Sequence, residues 1–276
     1  MISDANSIFL FISLPSIPFY IILISRMFQN GFRDFQSTFY SAVLGLMIVN
    51  LSSICLSIIS LSFTEFQFMK SFFWDSRRSY LSVLCYAQLF FFLFASCFSQ
   101  MIFAFERFAN HFLKSTAFFK VIASSFTSIQ SMASWISALV VAWHIFIQSD
   151  ISFVDGQSLH FNVPSTEFNY YMTLYVLSTA NVIILVFDIM IITSHMISQQ
   201  PKTQKLQDFI QIASSTPLMM LLAYLCYHGY HTHITQEIFA IDSLFYVFCG
   251  INTSLMAPVL LLDSRIRQCL LKSEES

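Results

Sequence analysis

Residues 89–112 read LFFFLFASCFSQMIFAFERFANHF. The charge-free run holding this stretch begins at Tyr80 and lasts to Phe105, where it meets an acid, an arginine and an aromatic in succession, Glu106-Arg107-Phe108. Apolar residues here do not alternate with polar ones, so the run is not a strand of a membrane barrel, whose ~10-residue segments alternate. It is long enough for the ~20 residues a helix needs to cross ~30 Å of hydrocarbon.

Working outward, the chain repeats this pattern. Charge-free stretches cover Ala5 to Ser25, Phe35 to Thr64, Val121 to Ser149, Phe168 to about Ile197 with the single acid Asp188, Phe209 to Gln236 and Ser243 to Leu262. Together they predict an all-α membrane protein, a bundle of seven transmembrane helices. The expected boundaries are 6–27, 36–63, 80–106, 121–148, 169–197, 208–233 and 239–263, with a short amphipathic tail over 264–276. The composition agrees: of 276 residues, 56% are hydrophobic and 10% charged, against roughly 25% charged in an ordinary soluble domain. Only 5 glycines are present, too few for glycine-rich phosphate loops. A net charge of −2 offers no basic excess for nucleic acid. No cofactor is expected.

Orientation follows from the cations. If the N-terminus lies outside, the inner segments hold ten of the 13 Lys and Arg, leaving only Lys70, Arg77 and Arg78 outside. The positive-inside bias therefore puts the tail in the cytoplasm. Residues 1–6 have no basic n-region, so the first helix is expected to be its own insertion signal. The six cysteines fall in spans or the tail, none in the outer segment 150–167, which argues against an extracellular disulfide framework.

Several polar residues stand out against this background. Asn181, Asp188 and His195 recur every seven residues, two helical turns, and so share one stripe of the fifth helix. An acid within a span must face the bundle interior or water, because lipid exposure costs roughly 2.5–3.5 kcal/mol even on the lenient insertion scale. Asp188 is thus either a polar switch, together with Asn50 and Asn252, or a structural hydrogen-bonding group. For Arg107 the alternatives are a guanidinium that trades partners as helices move, or a snorkelling side chain that only anchors the span.

Toward the outer side, Gln88 and Phe92 on helix three, Tyr175 on helix five, Tyr224 and His228 on helix six, and Asp242 and Tyr246 on helix seven are the candidate lining of a ligand pocket. Asp242 would serve as counter-ion to a cationic ligand, or simply as a solvated acid at a helix start. His228, His231 and His233 stand close in HGYHTH, but a zinc site wants a fourth ligand and no metal site is expected there. After the last span, Leu262, Ile266, Cys269 and Leu270 share a face suited to the inner leaflet, which makes Cys269 a candidate for lipidation or an ordinary thiol.

The whole pattern resembles the seven-transmembrane, G-protein-coupled receptors of rhodopsin-like form. Glu106-Arg107-Phe108 is similar to their acid-Arg-aromatic triplet ending helix three. Asn50-Leu51, Trp74, Trp135 and Pro258 are weaker likenesses. The chain departs from the mainstream of that group: helix seven carries Ala257-Pro258-Val259-Leu260-Leu261, and helix six has Ser215-Thr216-Pro217 without a tryptophan. With its high Phe content it most resembles the nematode serpentine chemoreceptors, within the Srg-type superfamily. The resemblance implies a sensory receptor in the plasma membrane, in sensory cilia, that binds a small environmental or pheromone molecule. It implies further that Glu106, Arg107 and Phe108 couple to a heterotrimeric G protein.

Rival classes are tested by single residues. A retinal protein needs a lysine in helix seven, and none lies between Lys205 and Lys272. A transporter or channel using Asp188 and His195 as a polar relay is the alternative reading, weakened by the absence of an internal repeat. Enzyme motifs such as HExxH or GxSxG do not occur, so no catalytic role is expected.

Overall fold

The computed structural model describes residues 11, 13–29, 38–65, 71–72, 74–76, 80–113, 115–148, 151–154, 160–162, 166–197, 201–235, 251–252 and 255–271. It is a seven-helix bundle: α1 (Ser16–Gln29), α2 (Thr38–Glu65), α3 (Tyr80–Phe112), α4 (Ala117–Phe146), α5 (Thr166–Ile197), α6 (Lys202–Thr235) and α7, helical at 251–252 and 255–260. A short helix, α8 (Ser264–Leu271), follows. Among the described residues four helices, α2, α3, α5 and α6, are long and apolar enough to cross a membrane, and α1 and part of α4 are shorter apolar helices.

α3 is the central post. Its apolar residues run all the way round, as in the quoted stretch, because neighbours cover it on every side: Leu89, Phe90, Leu93, Phe94, Ala95 and Cys97 are all buried. α5, by contrast, leaves Val182, Leu185, Val186, Ile189 and Ile192 exposed on its outer face. A helix with an apolar face left exposed is suited to lipid rather than water, since outward side chains there lose nothing by meeting hydrocarbon. Two apolar clusters result. One joins α3 to α4, α5 and α6, with Trp135 packed edge-on against Phe91 and Phe92. The other joins α1, α2, α7 and α8 to Phe103 of α3 and Ile210 of α6, around Tyr20, Phe39, Tyr40 and Leu260.

α8 begins where Asp263 caps it. The Asp263 Oδ1 accepts the amides of Arg265 at 2.8 Å and Ile266 at 3.4 Å, the pattern of an N-cap side chain reaching the second and third helical residues. Its Oδ2 accepts the Tyr40 hydroxyl at 3.1 Å, which ties α8 to the start of α2. Ile266 is buried and Leu270 packs on the same cluster, so part of the tail's apolar face covers the bundle itself.

One element was not foreseen from sequence. Ser152–Val154 (β1) and His160–Asn162 (β2) pair antiparallel, with Phe153 opposite Phe161. The intervening residues read DGQSL, a turn-forming composition that a reading tuned to twenty-residue runs passes over. The hairpin sits at the start of α3, where Ser82 Oγ donates to the Ile151 carbonyl at 2.7 Å and Tyr80 Oη to that of Phe146 at 2.6 Å. It marks one end of the bundle; Arg107 lies at the other.

Candidate functional site

At the Arg107 end, the last turns of α3 meet the first turns of α6. Arg107 Nε donates to Asp208 Oδ1 at 2.7 Å, and both side chains are almost wholly buried, at 3% and 2% exposure. Its Nη1 donates to Gln207 Oε1 at 3.3 Å, and the guanidinium carbon lies 5.6 Å above the centre of the Phe39 ring. Glu106 is the more distant acid, 3.7 Å from Arg107 Nη1. Its Oε1 accepts hydrogen bonds from Thr38 Oγ1 of α2 and from Asn110 Nδ2 one turn on. The triplet thus divides its work. Arg107 bridges α3 to α6, Glu106 bridges α3 to α2, and Phe108 stacks on Phe187 of α5 with centroids 5.0 Å apart.

The guanidinium is turned into the bundle and paired, whereas a snorkelling cation leads its head group to water. Breaking such a pair by removing one partner costs about 3–5 kcal/mol, because the remaining charge stays buried. That cost measures the stranded charge rather than the net strength of the pair, whose groups water could satisfy if the ends of α3 and α6 parted.

The α5 stripe faces α6 along its length. Asn181 Nδ2 donates to the Leu218 carbonyl at 3.3 Å and to its own helix at Leu177 O at 2.8 Å. Asp188 is buried facing Gln211, although neither its carboxylate oxygens nor the Gln211 amide atoms complete a hydrogen bond of normal geometry. His195 brings Nε2 within 2.8 Å of Asp208 Oδ2. On the other side of α6, Gln100 of α3 donates to the Ser214 carbonyl at 2.8 Å and accepts from the Ser214 hydroxyl at 3.1 Å. Gln100 and Asn181 thereby clasp α6 on either side of Pro217, where the proline ring removes one rung of the helix ladder.

Asn50 and Asn252, grouped from sequence with Asp188, do meet. Asn252 Nδ2 donates to Asn50 Oδ1 at 3.0 Å and to Ser96 Oγ at 3.2 Å, joining α7, α2 and α3 in the middle of the bundle. Asp188 is bonded to neither asparagine.

The expected pocket lining is scattered. Phe92 is buried against Trp135, and Gln88 donates to the Leu56 carbonyl at 3.5 Å. Tyr175 and Tyr224 stand on the outer surface of the bundle, 71% and 45% exposed. Asp242 and Tyr246, and the side chains of His228 and Cys269, lie outside the described residues.

Sequence reading passed over Asp208, Gln207 and His111. Asp208 carried a signal: it is an acid directly before the sixth apolar run, in a segment otherwise marked by Lys202 and Lys205. His111 stands within FANHF, one turn beyond Arg107, and its Nε2 meets Asp208 Oδ2 at 2.8 Å.

A bundle of long apolar helices, with a buried arginine of α3 clamped to α6 at one end, defines a multi-pass helical membrane protein as the class. The family model described as serpentine type 7TM GPCR chemoreceptor Srv matches residues 9–268, and the chain belongs to that family. It is accordingly a multi-pass membrane protein of the G-protein-coupled chemoreceptor kind. No curated protein matches the chain.

Proposed function

We propose that this receptor lies in the plasma membrane with its N-terminus outside, binds a small chemosensory ligand in the outer half of the bundle, and signals to a heterotrimeric G protein through Arg107. The observation that carries the reading is the buried Arg107–Asp208 pair linking α3 to α6. Ten of the 13 cations fall on the Arg107 side of the spans, which favours a cytoplasmic location for that end. Ligand binding among Gln88, Phe92, His228, Asp242 and Tyr246 would bias α6, which Gln100 and Asn181 hold near Pro217. Movement of α6 away from α3 would then release Arg107 toward the G protein. Glu106 and Phe108 position α3 against α2 and α5 in this scheme, and the Asn50–Asn252 contact keeps α7 in register. Asp188 is the polar switch between α5 and α6. Cys269 is a lipidation site that would add to the hold of α8 on the inner leaflet, sensory cilia are the expected destination, and the family's place is within the Srg-type superfamily.

The reading is tested by Arg107→Ala and Arg107→Lys in cells that report G-protein activation. Arg107→Ala is expected to abolish coupling while surface level persists, and Arg107→Lys to impair it strongly, because ammonium keeps the charge but loses the planar fork. Full signalling by Arg107→Lys would reduce Arg107 to a topology anchor. The transporter alternative draws on the unpaired Asp188 carboxylate and Gln211 amide, which water could connect toward His195. Ligand-dependent proton flux abolished by Asp188→Asn, with no G-protein response, would establish it.

A further inference from the structure

Beside the Arg107 pair, three side chains from three helices converge on one point. His111 Nε2 of α3 and His195 Nε2 of α5 each lie 2.8 Å from the same oxygen, Asp208 Oδ2 of α6. The three atoms all fall within 4.8 Å of one another, and the imidazole rings meet edge to face at 5.2 Å and 87°. Among the described residues only His111 hydrogen-bonds the shared oxygen. His195 makes no hydrogen bond through either ring nitrogen, and both nitrogens are shut away from solvent although the side chain is 19% exposed overall.

A carboxylate oxygen facing two imidazole nitrogens needs electropositive atoms between them. One proton serves His111. Nothing serves His195, whose nitrogen approaches the oxygen outside hydrogen-bond geometry. An orphaned imidazole nitrogen aimed at a carboxylate that a second imidazole already shares is the donor set of a divalent metal. We propose that His111, His195 and Asp208 form a zinc-type metal site that staples the Arg107 ends of α3, α5 and α6.

The donor set decides the class of ion. Two imidazoles and a carboxylate suit zinc and its transition-metal neighbours, whereas calcium and magnesium prefer oxygen ligands throughout. Tetrahedral ligands at the usual zinc distances stand about 3.3 Å apart, so the Asp208 oxygen has to recede from each histidine by about half an ångström while the two imidazole nitrogens, within 4.8 Å of each other, close on the ion. The fourth position is left for water, with the Gln204 amide 3.2 Å from His111 Nε2 at its edge. The other oxygen of Asp208 is already held by Arg107 Nε, the kind of outer support that fixes a metal-binding carboxylate. Because the ligands come from three helices, the ion binds the joined arrangement and disfavours any in which α6 leaves α3. If the coupling reading above holds, such an ion is an inhibitor acting from the side opposite the ligand.

The test measures metal alone and involves no G protein, so its outcome is independent of the coupling reading. Full-length receptor carrying no histidine tag is placed in lipid nanodiscs, with His228, His231 and His233 changed to Gln to remove the second histidine cluster. Zn2+ is titrated against a competing chelator. One Zn2+ per receptor is expected, with affinity at least about tenfold weaker in His195→Gln. His195→Cys should restore binding, since thiolate is a zinc ligand, and with Co2+ should show the sulfur-to-cobalt charge-transfer band that the parent lacks. Absence of micromolar binding in the parent, equal affinity in His195→Gln, or no such band in His195→Cys overturns the site.

Discussion

Replacing Asp208 by Asn keeps the size of the side chain and one acceptor oxygen but removes the charge that holds Arg107. A hydrogen bond to a charged acceptor contributes about 1.5–3 kcal/mol, and a neutral one about 0.5–1.5. The substitution therefore costs about 1–2 kcal/mol of the contact rather than the ~3–5 expected when a buried partner is deleted outright. Gln207 Oε1 at 3.3 Å and Glu106 Oε2 at 3.7 Å remain to share the guanidinium, which keeps the loss toward the low end. At ~1.4 kcal/mol per tenfold, the balance between joined and parted ends of α3 and α6 shifts by roughly 5- to 30-fold. If the parted form is a minor state of about 0.1–1%, ligand-free signalling rises nearly in proportion, and if it is nearer 10% the rise saturates at roughly 4- to 8-fold. The assay is basal nucleotide exchange on the G protein in membranes, normalised to receptor at the cell surface. Glu106→Gln is the internal comparison: Glu106 Oε1 is engaged by Thr38 and Asn110, so its neutralisation should raise basal exchange less than Asp208→Asn does. Basal exchange in Asp208→Asn within twofold of wild type, at normal surface level, refutes the clamp. A larger rise in Glu106→Gln than in Asp208→Asn would move the restraint to the neighbouring acid.

Two further outcomes are expected. Asn252→Ala removes both the 3.0 Å bond to Asn50 and the 3.2 Å bond to Ser96, and contacts of this kind within membrane bundles average about 0.6 kcal/mol with a maximum near 1.7; a modest drop in thermal midpoint in detergent is expected, and an unchanged midpoint would show that the contact contributes nothing. A tag placed after Ser276 should bind antibody only after permeabilisation and one before Met1 on intact cells, and the reverse staining would invert the proposed orientation.

The stripe Asn181, Asp188, His195 was visible in the sequence because helical period is a local property, and all three side chains do turn toward α6. The partner each finds there was not visible. Asp208 is 101 residues from Arg107, and Glu106 is its neighbour in the chain, so sequence proximity favours the wrong acid as the closer partner. Helix geometry reverses that preference, because adjacent residues on a helix point in different directions while facing helices bring distant ones together. Tyr175 and Tyr224 show the same limit: their aromatic character suits a pocket wall and a lipid-facing surface equally, and their exposure places them on the latter.

What the sequence determined by itself is therefore the part governed by transfer of single residues out of water. Each apolar run stays in the membrane on its own account, so the number of spans followed without knowledge of any contact between helices, while the serpentine receptor family, which the family model shows, was suggested by the resemblance carried by Glu106-Arg107-Phe108. What only the tertiary structure decided is the pairing of the few polar groups. The Arg107–Asp208 clamp, the Asn50–Asn252 link and the meeting of His111, His195 and Asp208 depend on the rotation and depth of each helix against its neighbours. Hydrocarbon on the outside rewards every apolar rotation alike, so composition leaves those angles open and close packing of side chains sets them.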